Sequence, residues 1–161
     1  MQTFLPSKSF ATSANMLDSK RLNKQVLEGY QILKVLSSDD PFAGWRNHPA
    51  VKMWRGHEMI LHSYVLSMVE EAKARGIKTD KNEENISNLT EANESWWGRE
   101  FPQWYQNSAI MRLVTTTHRA NLYKKDPSFY GHFKSSFYSK DNMPCCDGCK
   151  YFWVTHKLEG R

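Results

Sequence analysis

The chain has 161 residues, 40% apolar and 24% charged, enough to bury a core without disulfide or metal staples. Its formal charge of +5 and pI near 9.1 permit binding to nucleic acid or nucleotides, and equally suit an enzyme of small metabolites. No stretch approaches the ~20 apolar residues that span a bilayer, no signal-peptide pattern is present, and the three cysteines crowd into Cys145, Cys146 and Cys149, so membrane, secreted and disulfide-framework classes are excluded and a reducing cytoplasm is expected.

Residues 1–6 are short and mixed in character, as a terminal arm is. Thr12 or Ser13 then caps a helix running to about Leu36, where Ser37-Ser38-Asp39-Asp40-Pro41 stops it. At about 100° per residue, Leu22, Val26, Tyr30 and Leu33 form one apolar face, and Lys20, Asn23, Gln31 and Lys34 a solvated one. Asp18, Arg21, Gln25 and Glu28 form a stripe at spacing i, i+3, i+7, i+10, with Leu17 and Val35 on its far border. A polar row flanked by apolar rows is expected to be partly buried, and buried charges need partners. On spacing alone, the stripe reads either as a structural Asp–Arg lock or as a site.

The segment Gly44-Trp45-Arg46-Asn47-His48-Pro49-Ala50 places an indole, a guanidinium, an amide and an imidazole just before a helix start. Pro49 suits the first helical position, with Asn47 or His48 as cap, and the free N–H groups of such an end can meet a phosphate. The predicted second helix runs from Pro49 to an Arg75-Gly76 stop and buries Val51, Trp54, Leu61, Tyr64, Val65, Met68 and Ala72. Trp54 thus reads first as core, with base contact as its alternative. Residues 78–95 read as a polar surface connection with a short helix at about 84–89. A third helix starts near Pro102 or Asn107, runs to Lys124, and ends before Asp126-Pro127. Its last turns bring His118, Asn121 and Lys125 onto one face with Arg119 adjacent, a cluster suited to phosphates or simply to the helix macrodipole. The tail from Tyr130 is aromatic and lacks helical period.

These elements predict an all-α fold, one compact domain of three main helices spanning 1–161 with an irregular aromatic tail. A single Cys146-x-x-Cys149 pair, with Cys145 and His156 nearby, lacks the second pair of a zinc site, so no metal is expected. No phosphate loop, nucleophile elbow or His-Glu-x-x-His motif occurs, and no cofactor is expected.

Several pieces occur together in a familiar order: Met1-Gln2-Thr3-Phe4-Leu5-Pro6, Leu17-Asp18-x-x-Arg21-Leu22-x-Lys24-Gln25, Gly44 through Val51, Met53-Trp54-Arg55-Gly56, Arg75-Gly76, and His118-Arg119-x-x-Leu122-x-x-Lys125-Asp126-Pro127-x-x-Tyr130. In them the chain resembles the pyrimidine-dimer DNA glycosylase (bacteriophage endonuclease V-like) family, in a bacterial and phage branch. The resemblance implies an all-α domain whose terminal arm lies near the polar face of the first helix. It also implies a glycosylase coupled to an abasic-site lyase, in which a terminal α-amine attacks the sugar anomeric carbon, a first-helix glutamate assists, and arginines hold phosphates.

In this chain Gln2 is too large for efficient Met removal, which assigns the terminal amine to Met1, and Leu22 stands where the family glutamate is expected. The expected catalytic set is therefore Met1, Asp18 and Arg21, with Glu28 farther along the helix. Gln25, Trp45, Arg46, Asn47, His48, Trp54, His118, Arg119, Asn121 and Lys125 are the expected substrate contacts. The expected substrate is DNA carrying a damaged or modified pyrimidine. The alternative is a non-catalytic protein of phage anti-defence type that sequesters a free nucleotide, a nucleotide-derived signal or a modified base.

Overall fold

The computed structural model describes residues 1–137 and 150–155, and every regular element among them is helical. In chain order these are α1 (Phe10–Met16), α2 (Ser19–Leu36), α3 (Pro49–Lys52), α4 (Glu58–Ala74), α5 (Asp80–Asn93), α6 (Gln103–Gln106) and α7 (Ser108–Lys125). A 3-10 turn over Gly131–Phe133 and the single-turn α8 (Lys134–Phe137) follow. The three longest, α2, α4 and α7, are the three helices expected from periodicity. The cysteines and His156 lie outside the described residues.

The expected first helix is two. Ser9, rather than Thr12 or Ser13, caps α1, and Ser13 is buried, its hydroxyl donating to the Ser7 carbonyl and accepting the Ser7 N–H. Leu17 and Asp18 are both extended, so the chain turns there before α2 begins. The turn has two causes. Asp18 turns its carboxylate back onto the Arg21 N–H as the cap of α2 (3.0 Å). Arg75 donates to the Ala14, Asn15 and Leu17 carbonyls at the end of α1, which no further helical turn could then satisfy.

The expected second helix is also interrupted. His48 caps α3 through Nδ1, and one turn later Gly56 takes φ +81°, in the left-handed region. The buried Glu58 bridges the break: Oε1 accepts the Gly56 N–H and Oε2 the Gly98 N–H, both at 2.8 Å. All seven residues predicted for the inner face are buried, and Gly76, at φ +74°, ends α4 as expected. Residues 80–93, expected mostly as a surface connection, form the fourteen-residue α5. Only Ile86 is buried within it, so its apolar periodicity was too sparse to read.

α2 and α4 pack closely, with Gly29 as the point of nearest approach. α7 makes its extensive helix contacts with α6 and the C-terminal turns rather than with α2 and α4. Residues 1–6 fill the space between: Gln2 to Pro6 are buried and bond to side chains of α2, α4 and α7 together. The arm is therefore part of the core. Tyr130 and Phe133 stack at 5.8 Å and close the other end of α7.

A methyl group added at Gly29 would sit 2.4 Å from Val65 Cγ2, and a β-branched side chain in a packed interface has little room to retreat. Overpacking of this kind costs about 1–3 kcal/mol, more than the ~1 kcal/mol of helix propensity that alanine returns. Gly29→Ala is expected to lower the thermal midpoint by several degrees, measured by circular dichroism.

Candidate active site

An extended segment buried without a strand partner must find side-chain partners for its peptide groups. Gln25, on the polar stripe of α2, meets two of them. Its Oε1 accepts the Phe4 N–H at 2.9 Å and its Nε2 donates to the Gln2 carbonyl at 3.0 Å. The Tyr64 hydroxyl donates between the Phe4 carbonyl (2.8 Å) and Gln25 Oε1 (2.7 Å). From α7, His118 Nδ1 accepts the Leu5 N–H at 2.8 Å and Arg119 Nε donates to the Pro6 carbonyl. Trp54 Nε1 donates to the Thr3 hydroxyl at 3.1 Å.

The arm delivers its first residue to the end of the stripe. The Met1 amine lies 3.9 Å from Glu28 Oε1, and both side chains are largely covered. Gln25 Nε2 donates to the other carboxylate oxygen, Oε2, at 2.9 Å, leaving Oε1 toward the amine. Lys24 Nζ stands 3.8 Å from the same Oε1 on the solvent side. Met1, Glu28, Gln31, Lys34, Val35 and Trp45 line a pocket of about 390 Å³. Gln2 Nε2 is buried without a hydrogen-bond partner among the described residues, one residue from the amine.

His48 and an aromatic wall stand beside this pocket. Burial and then the nearby terminal ammonium hold the His48 pKa below its ordinary value, against the weaker pull of Glu28. Its Nδ1 accepts the Ala50 N–H at 3.1 Å, so the neutral ring carries its proton on Nε2. The ring meets Trp45 and Trp153 edge-on, with centroids 5.4 and 5.8 Å apart. Trp153 leans on Tyr151, whose hydroxyl burial pushes up to about 12. Trp45 is 59% exposed and has φ +68°, the only non-glycine residue at positive φ among those described. Trp45 is thus a strained, exposed indole at the edge of the pocket.

A larger hollow of about 490 Å³ lies between α4 and α5, but Glu83, Glu91 and Glu94 line it. Their charge opposes a phosphate-bearing ligand, and the hollow contains no part of the amine site.

The structure separates the residues expected at one site. Met1, Gln25, Trp45 and His48 gather around the amine. Asp18 and Arg21 form a lock elsewhere: Asp18 Oδ2 takes the Arg21 guanidinium at 2.8 Å and the Tyr130 hydroxyl, while the Asp18 N–H donates back to Tyr130. Burial would raise the Asp18 carboxyl, but the bonds from Tyr130 and Arg21 outweigh it and hold its pKa below the ordinary value. With both oxygens engaged, Asp18 does not stand as the carboxylate of the amine; Glu28 does. Trp54, His118 and Arg119 hold the arm, as the bonds above require.

His118 in particular is no phosphate contact: it is 1% exposed, and burial drives its pKa down to about 3. Asn121 donates to the Thr117 carbonyl within α7, and Lys125 is exposed at the helix end. Arg46 donates to the Ser38 carbonyl and closes its loop, with Asn47 exposed on it. Sequence reasoning missed Glu28 as the partner of the amine, placed Tyr64 on a buried helix face without its bonds to the arm, and missed Tyr151 and Trp153 altogether. Only the stripe spacing pointed to Glu28; nothing local marked Tyr151 or Trp153.

A family model, pyrimidine dimer DNA glycosylase, matches residues 1–85, the stretch holding the arm, α2 and the Trp45–His48 turn. No curated protein and no solved structure matches the chain.

His118 makes stability depend on pH. The unfolded imidazole binds a proton near pH 6.5, but the folded one resists until about pH 3. The folded state is thus favoured above pH 6.5 and loses that stability as the pH falls toward 3. Denaturant titrations should show a falling midpoint from pH 7 to 4.5. His118→Gln should be less stable at pH 7, yet show a flatter decline.

Proposed function

Because the chain belongs to the pyrimidine dimer DNA glycosylase family, we propose that it excises a damaged or modified pyrimidine from DNA with the Met1 α-amine as nucleophile, and that the same amine cleaves the abasic site. The observation that carries this reading is the Met1 amine set 3.9 Å from Glu28 in a pocket edged by Trp45.

The amine nitrogen attacks C1′ of the target nucleotide. Its lone pair forms the N–C1′ bond as the bond from C1′ to the base breaks, and the electron pair leaves with the base. Glu28 takes the proton that the attacking nitrogen sheds and its anion steadies the cationic sugar. The proton passes on to the departing base. Opening of the sugar ring then gives a protonated Schiff base. Loss of a C2′ proton expels the 3′ phosphate, and water releases the product. An α-amine suits this role because less of it is protonated at neutral pH than of a lysine side chain.

Each neighbour has a part. Gln25 holds Glu28 by Oε2 so that Oε1 faces the amine. Trp45 stacks on the extruded base, His48 Nε2–H donates to a sugar or base oxygen, and Lys34 meets the flanking phosphate. Retention of Met1 matters chemically: a terminal glutamine cyclises to a lactam and loses its amine, so Gln2 could not serve in its place.

Borohydride trapping tests the reading. Wild-type protein with an abasic oligonucleotide should give a covalent adduct, and acetylation of the N-terminus should abolish it. Glu28→Gln should lower the trapping rate about 100-fold or more while leaving oligonucleotide affinity within a few-fold. No adduct from wild-type protein that binds free nucleotide tightly would turn the reading to sequestration. Among binding variants, His48→Ala should weaken affinity more than Lys20→Ala, measured by anisotropy; equal effects would remove His48 from the site.

A further inference from the structure

Between α2 and α3 the chain makes a loop, residues 37–48, that carries Phe42 at 90% exposure, well above any other large apolar side chain among those described. A lone exposed apolar residue needs no explanation. Phe42 is set apart by the stiffness of its loop and by its neighbour on it.

Successive turns and clasps fix the loop. Asp40 accepts the Phe42 N–H on Oδ1 (2.9 Å) and the Ala43 N–H on its carbonyl (3.2 Å). Arg46 Nη1 donates to the Ser38 carbonyl at 3.0 Å, pinning one side of the loop to the other. Arg55 Nη2 then holds the Arg46 carbonyl at 2.7 Å, and Trp97 Nε1 the Ser37 hydroxyl at 3.0 Å. Three residues after Phe42 comes Trp45, which edges the amine pocket. Exposed Lys52 and Arg55 follow, against the exposed Asp39 and Asp40, of which Asp40 accepts the Phe42 N–H through one carboxylate oxygen.

We propose that this loop is a base-step wedge: Phe42 enters the gap a nucleotide leaves when it is extruded from duplex DNA toward the amine. A rigid loop can hold an apolar ring out in water because its backbone bonds, not the ring, keep its shape. Inserted between base pairs, the ring replaces the stacking the duplex loses, as apolar wedges do in proteins that kink DNA. The inference rests on the reading of the amine pocket as a DNA site. It goes further in assigning the duplex itself, not just one strand, as the partner.

The test compares one tetrahydrofuran abasic analogue in a duplex and in the corresponding single strand, by fluorescence anisotropy, with 2-aminopurine beside the lesion to report unstacking. Phe42→Ala is expected to weaken duplex binding about tenfold and to remove the 2-aminopurine rise. Single-strand affinity and borohydride trapping on an abasic single strand should stay unchanged, and Phe42→Leu should restore most of the duplex affinity. Equal losses on both substrates, or no loss on either, would overturn the wedge. So would sedimentation showing that Phe42→Ala dissolves a dimer of the wild type with no duplex effect, since the ring would then serve self-association. If wild-type protein forms no adduct with an abasic single strand, the amine reading fails by itself, and the duplex-to-single-strand ratio still decides the wedge.

Discussion

The structure depends on one requirement: residues 1–6 are buried in extended conformation with no strand beside them, so every peptide group there must be met by a side chain. An unmet buried N–H or C=O costs about 1–3 kcal/mol, and six residues carry enough of them to undo a domain of ordinary stability. Gln25, Tyr64, His118 and Arg119 meet these groups from three different helices. The same bonds that satisfy the arm join α7 to α2 and α4, two helices that α7 otherwise touches little. Fold and arm therefore stand together, and the position of the first atom of the chain follows from the packing of all three helices.

That coupling explains how a chain terminus can be held in place, as the proposed nucleophile requires. Termini fray unless they are tied down, and a reacting amine held loosely gains little from proximity. Here the tie is a polar network in a low-dielectric interior, where hydrogen bonds hold geometry well when all of them are made. Gln25 sits at its centre, bonding two arm peptides and the Glu28 carboxylate at once. It couples the placement of the amine to the orientation of its acid partner.

The two carboxylates of α2 serve different ends because they occupy different ends of the helix. Asp18, at the cap, spends its oxygens on the first turn, on Arg21 and on Tyr130, and so fastens α2 to the C-terminal turns. Glu28, three turns on, has one oxygen held by Gln25 and one turned to the amine and Lys24. Glu28 thus faces the chain terminus, whereas Asp18 fastens elements of the fold together. The aromatic segment 150–155 adds the outer wall by setting Tyr151 and Trp153 edge-on to His118 and His48.

Much of this was legible in the sequence. Apolar periodicity gave the three long helices and most of the buried face of α4, though not Ile60 and Val69, because burial of a stripe is what a helical period records. The polar row on α2 signalled burial, and the motifs signalled the family. Periodicity could not show α5, whose single buried residue leaves no pattern, nor the breaks at Leu17–Asp18 and Gly56, which depend on Arg75 and Glu58 reaching across the fold. Nor could spacing along one helix choose between Asp18 and Glu28, or separate His118 as an arm ligand from His118 as a phosphate contact. Those assignments rest on which distant groups arrive at each side chain, and contacts between residues a hundred positions apart exist only once the chain has folded.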